Sequence, residues 1–308
     1  MSKANVKELS IIIVTYNSAK IIAESLANLD AELYDIYVID NASIDETVEL
    51  VTQKFPKVKL INSDKNSGFA RANNLALRQI NTEFALVLNP DALIAEKTIA
   101  EMLQILKKDR DIALAAPLLV SEQKVSKQYL EKRLEKINKD FLGKQQIYFE
   151  KLGTHYNAKF LSGAVLFMRR EIFANIGFFD EHIFMFYEDN EIVQRSLKHK
   201  YKNLLITECQ AYHKAGNSSQ NNQKNTNLYK KGWHLKGWSK CYLEEKKSGL
   251  FQAKIKSISL CSLCFAKVIL QCLRLNRVRA VLYAGGLVGA LSYLLGMAAF
   301  DKNGYPRG

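Results

Sequence analysis

Proline and glycine are scarce in this 308-residue chain, at 4 and 15 residues. That excludes collagen-like and low-complexity architectures. With 48% hydrophobic and 24% charged residues, it leaves a globular fold with a sizeable core. Cysteine is missing before Cys209, and the five present crowd into the last third. An odd, one-sided set makes no disulfide framework and points to a reducing compartment. Cys261-x-x-Cys264 has no second pair and no nearby histidine to complete a zinc site, so both read as small apolar helix residues. A secretory apolar region is also missing. After the polar residues 1–8 comes only the run 9–14, expected as a first strand. Acidic residues are nearly absent from residues 193–308, where 4 face 20 basic ones, whereas residues 1–192 hold 27 against 24. The net charge of +13 therefore belongs to the C-terminal part, which is built to meet something negative: lipid headgroups, phosphorylated ligands or nucleic acid.

What is present is an alternation of strand and helix patterns. Residues 9–14 form a β-branched run suited to a strand buried on both faces. Ile21, Ile22, Leu26 and Leu29 follow at helical spacing, and residues 36–39 make a second strand ending at Asp40-Asn41. Ser43 with Glu46 has the spacing of a capping box opening a helix over 47–55. A third strand at 58–61 leads through the turn Asn66-Ser67-Gly68 to a helix over 73–80. A fourth, at 84–88, stops at Asn89-Pro90-Asp91. This order argues for a parallel sheet covered by helices. Residues 121–153 are rich in Lys and Glu and read as a polar helix or an insertion. Residues 161–168 read as a strand, 188–199 as a helix and 214–227 as an exposed loop. No internal repeat is visible.

In such a sheet, ligands bind at the carboxyl ends of the strands. Thr15, Tyr16 and Asn17 follow the first strand, Asp40 and Asn41 the second, Asn66 the third, and Asn89 and Asp91 the fourth. Asn and Asp also serve generically as turn and cap residues, but here they recur at every strand end. The first loop lacks the Gly-rich turn of dinucleotide enzymes, which argues against a nicotinamide or flavin cofactor. A nucleotide fits better. Asp40 can accept a hydrogen bond from a base or ribose, and Asp91 can hold a divalent cation on a diphosphate.

The segments Val14-Thr15-Tyr16-Asn17, Val38-Ile39-Asp40-Asn41-Ala42-Ser43 and the run from Asn66 through Gly68 and Arg71 to Asn74 resemble the nucleotide-binding segments of family 2 glycosyltransferases. Leu88-Asn89-Pro90-Asp91 is similar to the variant DxD motif of the rhamnosyltransferase-like branch. The ordered match continues through Leu161-Ser162-Gly163-Ala164, Gly177-Phe178-Phe179-Asp180-Glu181 and Met185-Phe186-Tyr187-Glu188-Asp189. The resemblance covers about residues 8–240. It implies an α/β GT-A fold, a nucleotide-diphosphate sugar donor and an inverting transfer. It also implies that Asp189 is the base, that Gly163 and Glu188 lie on the acceptor side, and that Arg71 contacts phosphate or the nucleobase region. His213 would sit near the metal, Mg²⁺ or Mn²⁺, beside Asp91. Two positions depart from the pattern: Asn89 replaces the first Asp of DxD, and Glu191 stands where a second Asp follows the Glu-Asp pair.

The expected organisation is a transferase domain over 1–240, with a nucleotide-sugar half at 1–120 and an acceptor half at 121–240. A basic, apolar helical region at 241–308 associates with membrane. Within it residues 257–273 are apolar apart from Lys267 and a few small polar residues, and residues 280–300 carry no charge, the latter a length able to span a bilayer at about 20 residues per helix. Gly285 and Gly289 there have the Gly-x-x-x-Gly spacing. Helices lying in the interface are favoured over a span. The expected activity is transfer of rhamnose from dTDP-rhamnose to a lipid-linked or cell-surface glycan at the cytoplasmic face of an anionic membrane. Another UDP or GDP sugar is the alternative. A nucleotidyltransferase is disfavoured by the lack of a Gly-rich triphosphate loop. Nucleic acid is disfavoured because the aromatic and basic residues of 231–242 adjoin apolar runs, and retention of Asp91 and Asp189 argues against a non-catalytic sugar binder.

Overall fold

The computed structural model describes residues 7–120, 149–153, 155–213 and 226–301. Most of the Lys/Glu-rich stretch and of the polar 214–227 loop lies outside the described residues. The chain divides into two compact units. One comprises Met1–Ser63, Ala72–Phe179 and Asp189–Ser218, the other Asp64–Arg71, Asp180–Glu188 and Ser219–Gly308.

The first unit is built on one sheet of ten described strands. These are β1 (Leu9–Thr15), β2 (Asp35–Asp40), β3 (Lys59–Asn62), β4 (Phe84–Leu88), β5 (Ala92–Ile94), β6 (Ile112–Val120), β7 (Phe149–Leu152), β8 (His155–Ala158), β9 (Val165–Arg169) and β10 (Lys202–His213). Their order is β3-β2-β1-β4-β9-β6-β10-β8-β7, with β5 pairing β10. β3, β2, β1 and β4 run parallel, as do β6 and β10, while β9 is antiparallel to both neighbours. The continuous apolar runs of β1 and β4 are buried along their length apart from Val14, which is half-buried, as strands covered on both faces must be.

Helices α1 (Ile22–Ala27), α2 (Thr47–Lys54) and α4 (Glu96–Lys108) pack Ile22, Leu26, Val51, Ile99 and Met102 into the core. Between them in sequence is α3 (Phe69–Leu77). The α2 start differs from the expected capping box. Glu46 caps nothing with its side chain, Asp45 Oδ1 accepts from Thr47 N–H at 3.1 Å, and Ser43 Oγ accepts from Asn17 N–H at 2.8 Å. Ser43 is drawn away because Ala42, at φ +63°, folds the loop toward the end of β1. The strand expected over 161–168 begins only at Val165. α5 (Arg170–Ile176) and α6 (Glu188–Lys198) follow.

The second unit centres on three helices, α7 (Thr226–Ser248), α8 (Leu250–Leu273) and α9 (Arg277–Leu294). Its core contains Phe184, Leu235, Trp238, Cys241, Ala253, Ala290 and Tyr293. Cys264 is buried and Cys261 half-buried; burial raises both thiols, so they stay neutral. No group of three potential ligands able to hold a metal exists among the described residues. The uncharged stretch 280–300 is not one helix, because α9 ends at Leu294 and Gly296 turns at φ +69°. Among the described helices, α8 is instead the one long and apolar enough to cross a membrane. α9 uses its glycines to approach α7. A Cβ on Gly289 would lie 2.0 Å from the His234 carbonyl oxygen, and Gly237 meets the Gly286 carbonyl. Replacement Gly289→Ala should therefore cost about 2 kcal/mol by overpacking, read as a lowered urea midpoint with the m-value unchanged.

Candidate active site

Parallel register places Thr15 directly beside Asp40 at the carboxyl edge of the sheet. Both are buried, and the Thr15 hydroxyl donates to Asp40 Oδ1 at 3.1 Å while Asp40 Oδ2 accepts from Ser43 N–H at 2.8 Å. Asn17, at φ +52°, accepts from Ile44 N–H at 2.9 Å, so the loops after β1 and β2 are laced together. Asp40 thus orders its own turn. A carboxylate has about four lone-pair sites, so it retains acceptor capacity. Tyr16, the residue after Thr15, is 46% exposed.

The loop after β4 meets the end of β10. Pro117 in β6 has no N–H to donate, and the β6–β10 ladder bulges between Ile206 and Gln210. The shifted tail of β10 pairs with β6 again through Tyr212 and on its other edge with β5, placing His213 opposite Ala92. His213 Nε2 comes within 3.2 Å of Asp91 Oδ1 and 3.5 Å of Asn89 Nδ2. A carboxylate oxygen and an imidazole nitrogen converging with an amide alongside need a proton or a cation between them. That donor set suits a divalent ion that completes its shell on phosphate oxygens.

Asp189 occupies the first turn of α6. Its Oδ2 accepts from Gly163 N–H at 3.2 Å and its Oδ1 from Asn190 N–H at 2.8 Å. Ala164, the next residue, accepts from Asn89 N–H at 2.8 Å. The short 163–164 segment therefore joins the Asp91 loop to Asp189. This is possible because residues 161–164 are not strand, so the Gly163 N–H is not consumed by a sheet ladder. Desolvation by burial raises the Asp189 carboxyl above its ordinary value, and the backbone hydrogen bonds lower it only in part. Ionised Asp189 thus costs stability. Its contribution is favourable in acid and is lost as pH rises through the raised value.

Glu191 does not point to a ligand role. It is buried and grips Arg195 through both oxygens, at 2.8 Å to Nη2 and 3.0 Å to Nε. Arg195 also donates to the carbonyls of Ile176, Gly177 and Phe178. Gly177, at φ +96°, leaves room for that guanidinium. The one sequence signal for Arg195 is its i,i+4 spacing from Glu191.

The remaining candidates belong to the second unit. Gly68, at φ +84°, would put a Cβ 2.3 Å from the Phe184 carbonyl oxygen, and Asn66 Oδ1 accepts its N–H at 3.0 Å. Arg71 donates to the Glu181 carbonyl at 3.1 Å and lies 4.5 Å from the Phe300 ring centroid. Glu188 is buried at the start of α6. Immediately before it, Phe186 and Tyr187 both take positive φ, +69° and +71°, a conformation that bulky residues hold only when their surroundings enforce it.

A mixed α/β sheet with acidic and histidine side chains converging at its carboxyl edge defines a nucleotide-sugar-transferase fold of the GT-A kind. The sequence model described as Glycosyl transferase family 2 matches residues 10–177, and the chain belongs to that family. The low-salt glycan biosynthesis hexosyltransferase Agl10 of Haloferax volcanii is 25% identical over 66% of this chain and 65% of its own length; the chain thus spans just under two thirds of that relative. The N-acetylglucosaminyl-diphospho-decaprenol L-rhamnosyltransferase of Mycobacterium tuberculosis is 21% identical over 80% of this chain and 88% of its own. Among solved structures, the mannosyltransferase PcManGT of Pyrobaculum calidifontis, in complex with GDP-Man and Mn²⁺, superposes with a TM-score of 0.59. That match has 16% identity and covers 95% of this chain and 88% of the other.

Arg195→Ala should strand a buried carboxylate and three carbonyls, lowering unfolding free energy by about 3 kcal/mol or more in denaturant titration. Arg195→Lys should recover part of that loss, since an ammonium cannot reproduce the fork.

Proposed function

We propose that this protein is an inverting glycosyltransferase that moves rhamnose from dTDP-rhamnose to a lipid-linked or cell-surface glycan. It works at the cytoplasmic face of an anionic membrane. Residues 1–120 serve as the donor half, 121–240 as the acceptor half and 241–308 as the membrane-associating region. The observation that carries the reading is the 163–164 segment, which joins a carboxylate of raised basicity to the loop bearing Asp91, and Asp91 in turn meets His213 at the end of β10. The rhamnose assignment is supported by the Leu88-Asn89-Pro90-Asp91 motif and by the likeness to the mycobacterial rhamnosyltransferase.

Inversion at an anomeric carbon is one in-line displacement. Asp189 takes the acceptor hydroxyl proton as that oxygen bonds to the anomeric carbon and the bond to the diphosphate breaks. The N–H groups of Gly163 and Asn190 keep the carboxylate aimed, while Gly163 and Glu188 shape the acceptor side. Asp91 and His213 would hold Mg²⁺ or Mn²⁺, with the Asn89 amide steadying the imidazole. Such an ion, when bound, supplies positive charge to the leaving diphosphate. Asp40 faces the nucleoside, and Thr15, Tyr16, Asn17, Asn66, Gly68 and Arg71 complete the donor-binding set.

The test is a panel of dTDP-rhamnose, UDP-GlcNAc and GDP-mannose, read by thermal stabilisation and slow donor hydrolysis. The rhamnose donor should give the largest response; equal or greater response to another sugar would reassign the donor. Asp189→Asn should cut transfer about a hundredfold or more while keeping donor stabilisation. The acid limb of the parent's pH–rate profile should lie above the usual aspartate value of 3.8. Asp91→Ala should abolish donor stabilisation, and excess EDTA should do the same to the parent. Full transfer in EDTA would remove the metal from this scheme.

A further inference from the structure

Helix α8 is inside out. Its inward face consists of Ala253, Ser257, Cys264 and Gln271, all buried, with Ser257 only 1% exposed. Its outward face carries Phe251, Ile255, Ile258, Phe265, Ile269 and Leu273, from 46% to 77% exposed. Those six recur at helical spacing, so they form one stripe, about 33 Å long at roughly 1.5 Å per residue. A soluble amphipathic helix has the opposite polarity. Small and weakly polar residues toward protein with large apolar ones outward is the arrangement of a helix whose outer solvent is lipid. Leu275, 89% exposed at the α8–α9 turn, and Val278 beyond it extend the apolar surface.

Charge identifies the occupant. Residues 246–300 contain eight Lys and Arg and no Asp or Glu. Lys254, Arg274, Arg277 and Arg279 are exposed around the stripe. Such cations contribute about 1 kcal/mol each near an anionic leaflet.

α8 is long enough to cross a bilayer, but its partners oppose that. Its inward face packs on α7 and α9, Lys256 pairs with Glu244 of α7, and α7 carries Lys236, Lys240, Glu245, Lys246 and Lys247. Spanning would draw that charged helix into hydrocarbon or strip it away, leaving Ser257 and Gln271 unburied. We propose that α8 lies along the surface of an anionic bilayer, its outward stripe sunk to the acyl boundary, as a one-sided seat for the enzyme. The inference rests on the membrane-surface reading above and names the element and the geometry.

The experiment uses the full-length protein with vesicles of phosphatidylcholine alone or mixed with phosphatidylglycerol. The parent should float with the anionic vesicles and be released by alkaline carbonate. The variant Ile258→Glu with Phe265→Glu, at two exposed positions, should lose about tenfold or more in the bound fraction. Its melting temperature and soluble donor hydrolysis should be unchanged. Arg277→Glu with Arg279→Glu, on the neighbouring helix, should weaken binding to anionic vesicles only. A parent that does not float, or a stripe variant that floats as well as the parent, overturns the proposal. Binding that survives carbonate also overturns it, in favour of a span. A dimer in light scattering that the stripe variant dissociates, without flotation, assigns the face to a second copy and overturns it too. Loss of donor hydrolysis in parent and variant alike would count against the transferase reading and leave the flotation result intact.

Discussion

The candidate site depends on where β10 ends. The ladder with β6 shifts register after Ile206 opposite Pro117 and resumes at Gln210, while the last three residues also pair with β5. The added pairing with β5 seats His213 beside Asp91, residues separated by more than a hundred positions of chain. An acidic residue at the end of β4 could by itself be a turn residue. With an imidazole nitrogen 3.2 Å away and an amide beside it, it becomes half of the pair proposed to hold a cation.

The second centre of the site is held by backbone rather than side chains. Gly163 and Asn190 supply N–H groups to Asp189, while Arg195 gathers the carbonyls at the end of α5 and locks Glu191 on the helix that bears Asp189. Two consecutive aromatic residues in left-handed conformation lead the chain into that helix. Rigid placement suits the proposed role of Asp189, since a general base must meet the acceptor hydroxyl within hydrogen-bond reach. Burial both raises the basicity of Asp189 and makes its ionised form costly.

In the second unit the constraint is close helix approach. Gly237, Gly286 and Gly289 let α7 and α9 touch backbone to backbone, and Trp238 adds a hydrogen bond to the Met297 carbonyl at 2.6 Å. The glycine face of α9 is thus turned to α7, while α8 keeps small residues inward and most of its large apolar ones exposed.

Much of this was legible in the sequence. The apolar runs and strand-end Asn and Asp residues identified β1 to β4 nearly to the residue, most clearly β1 and β4, whose continuous apolar runs are the signature of strands covered on both faces. The ordered motifs named the family, and they marked Asp91 and His213, which the fold brings within 3.2 Å of each other. Other features were not local. Ser43 and Glu46 have capping-box spacing, yet Ser43 binds Asn17 because the two loops are adjacent in space. Glu191 reads as a candidate acid, yet it is consumed by Arg195. The apolar runs 257–273 and 280–300 both read as membrane elements, whereas the long exposed apolar stripe lies on α8, since hydropathy counts residues and cannot tell which face of a helix its neighbours cover. Composition and periodicity determined the elements and the chemistry available at their ends. Only tertiary packing decided which of those groups meet, because hydrogen bonds, ion pairs and buried faces are set by partners distant in the chain.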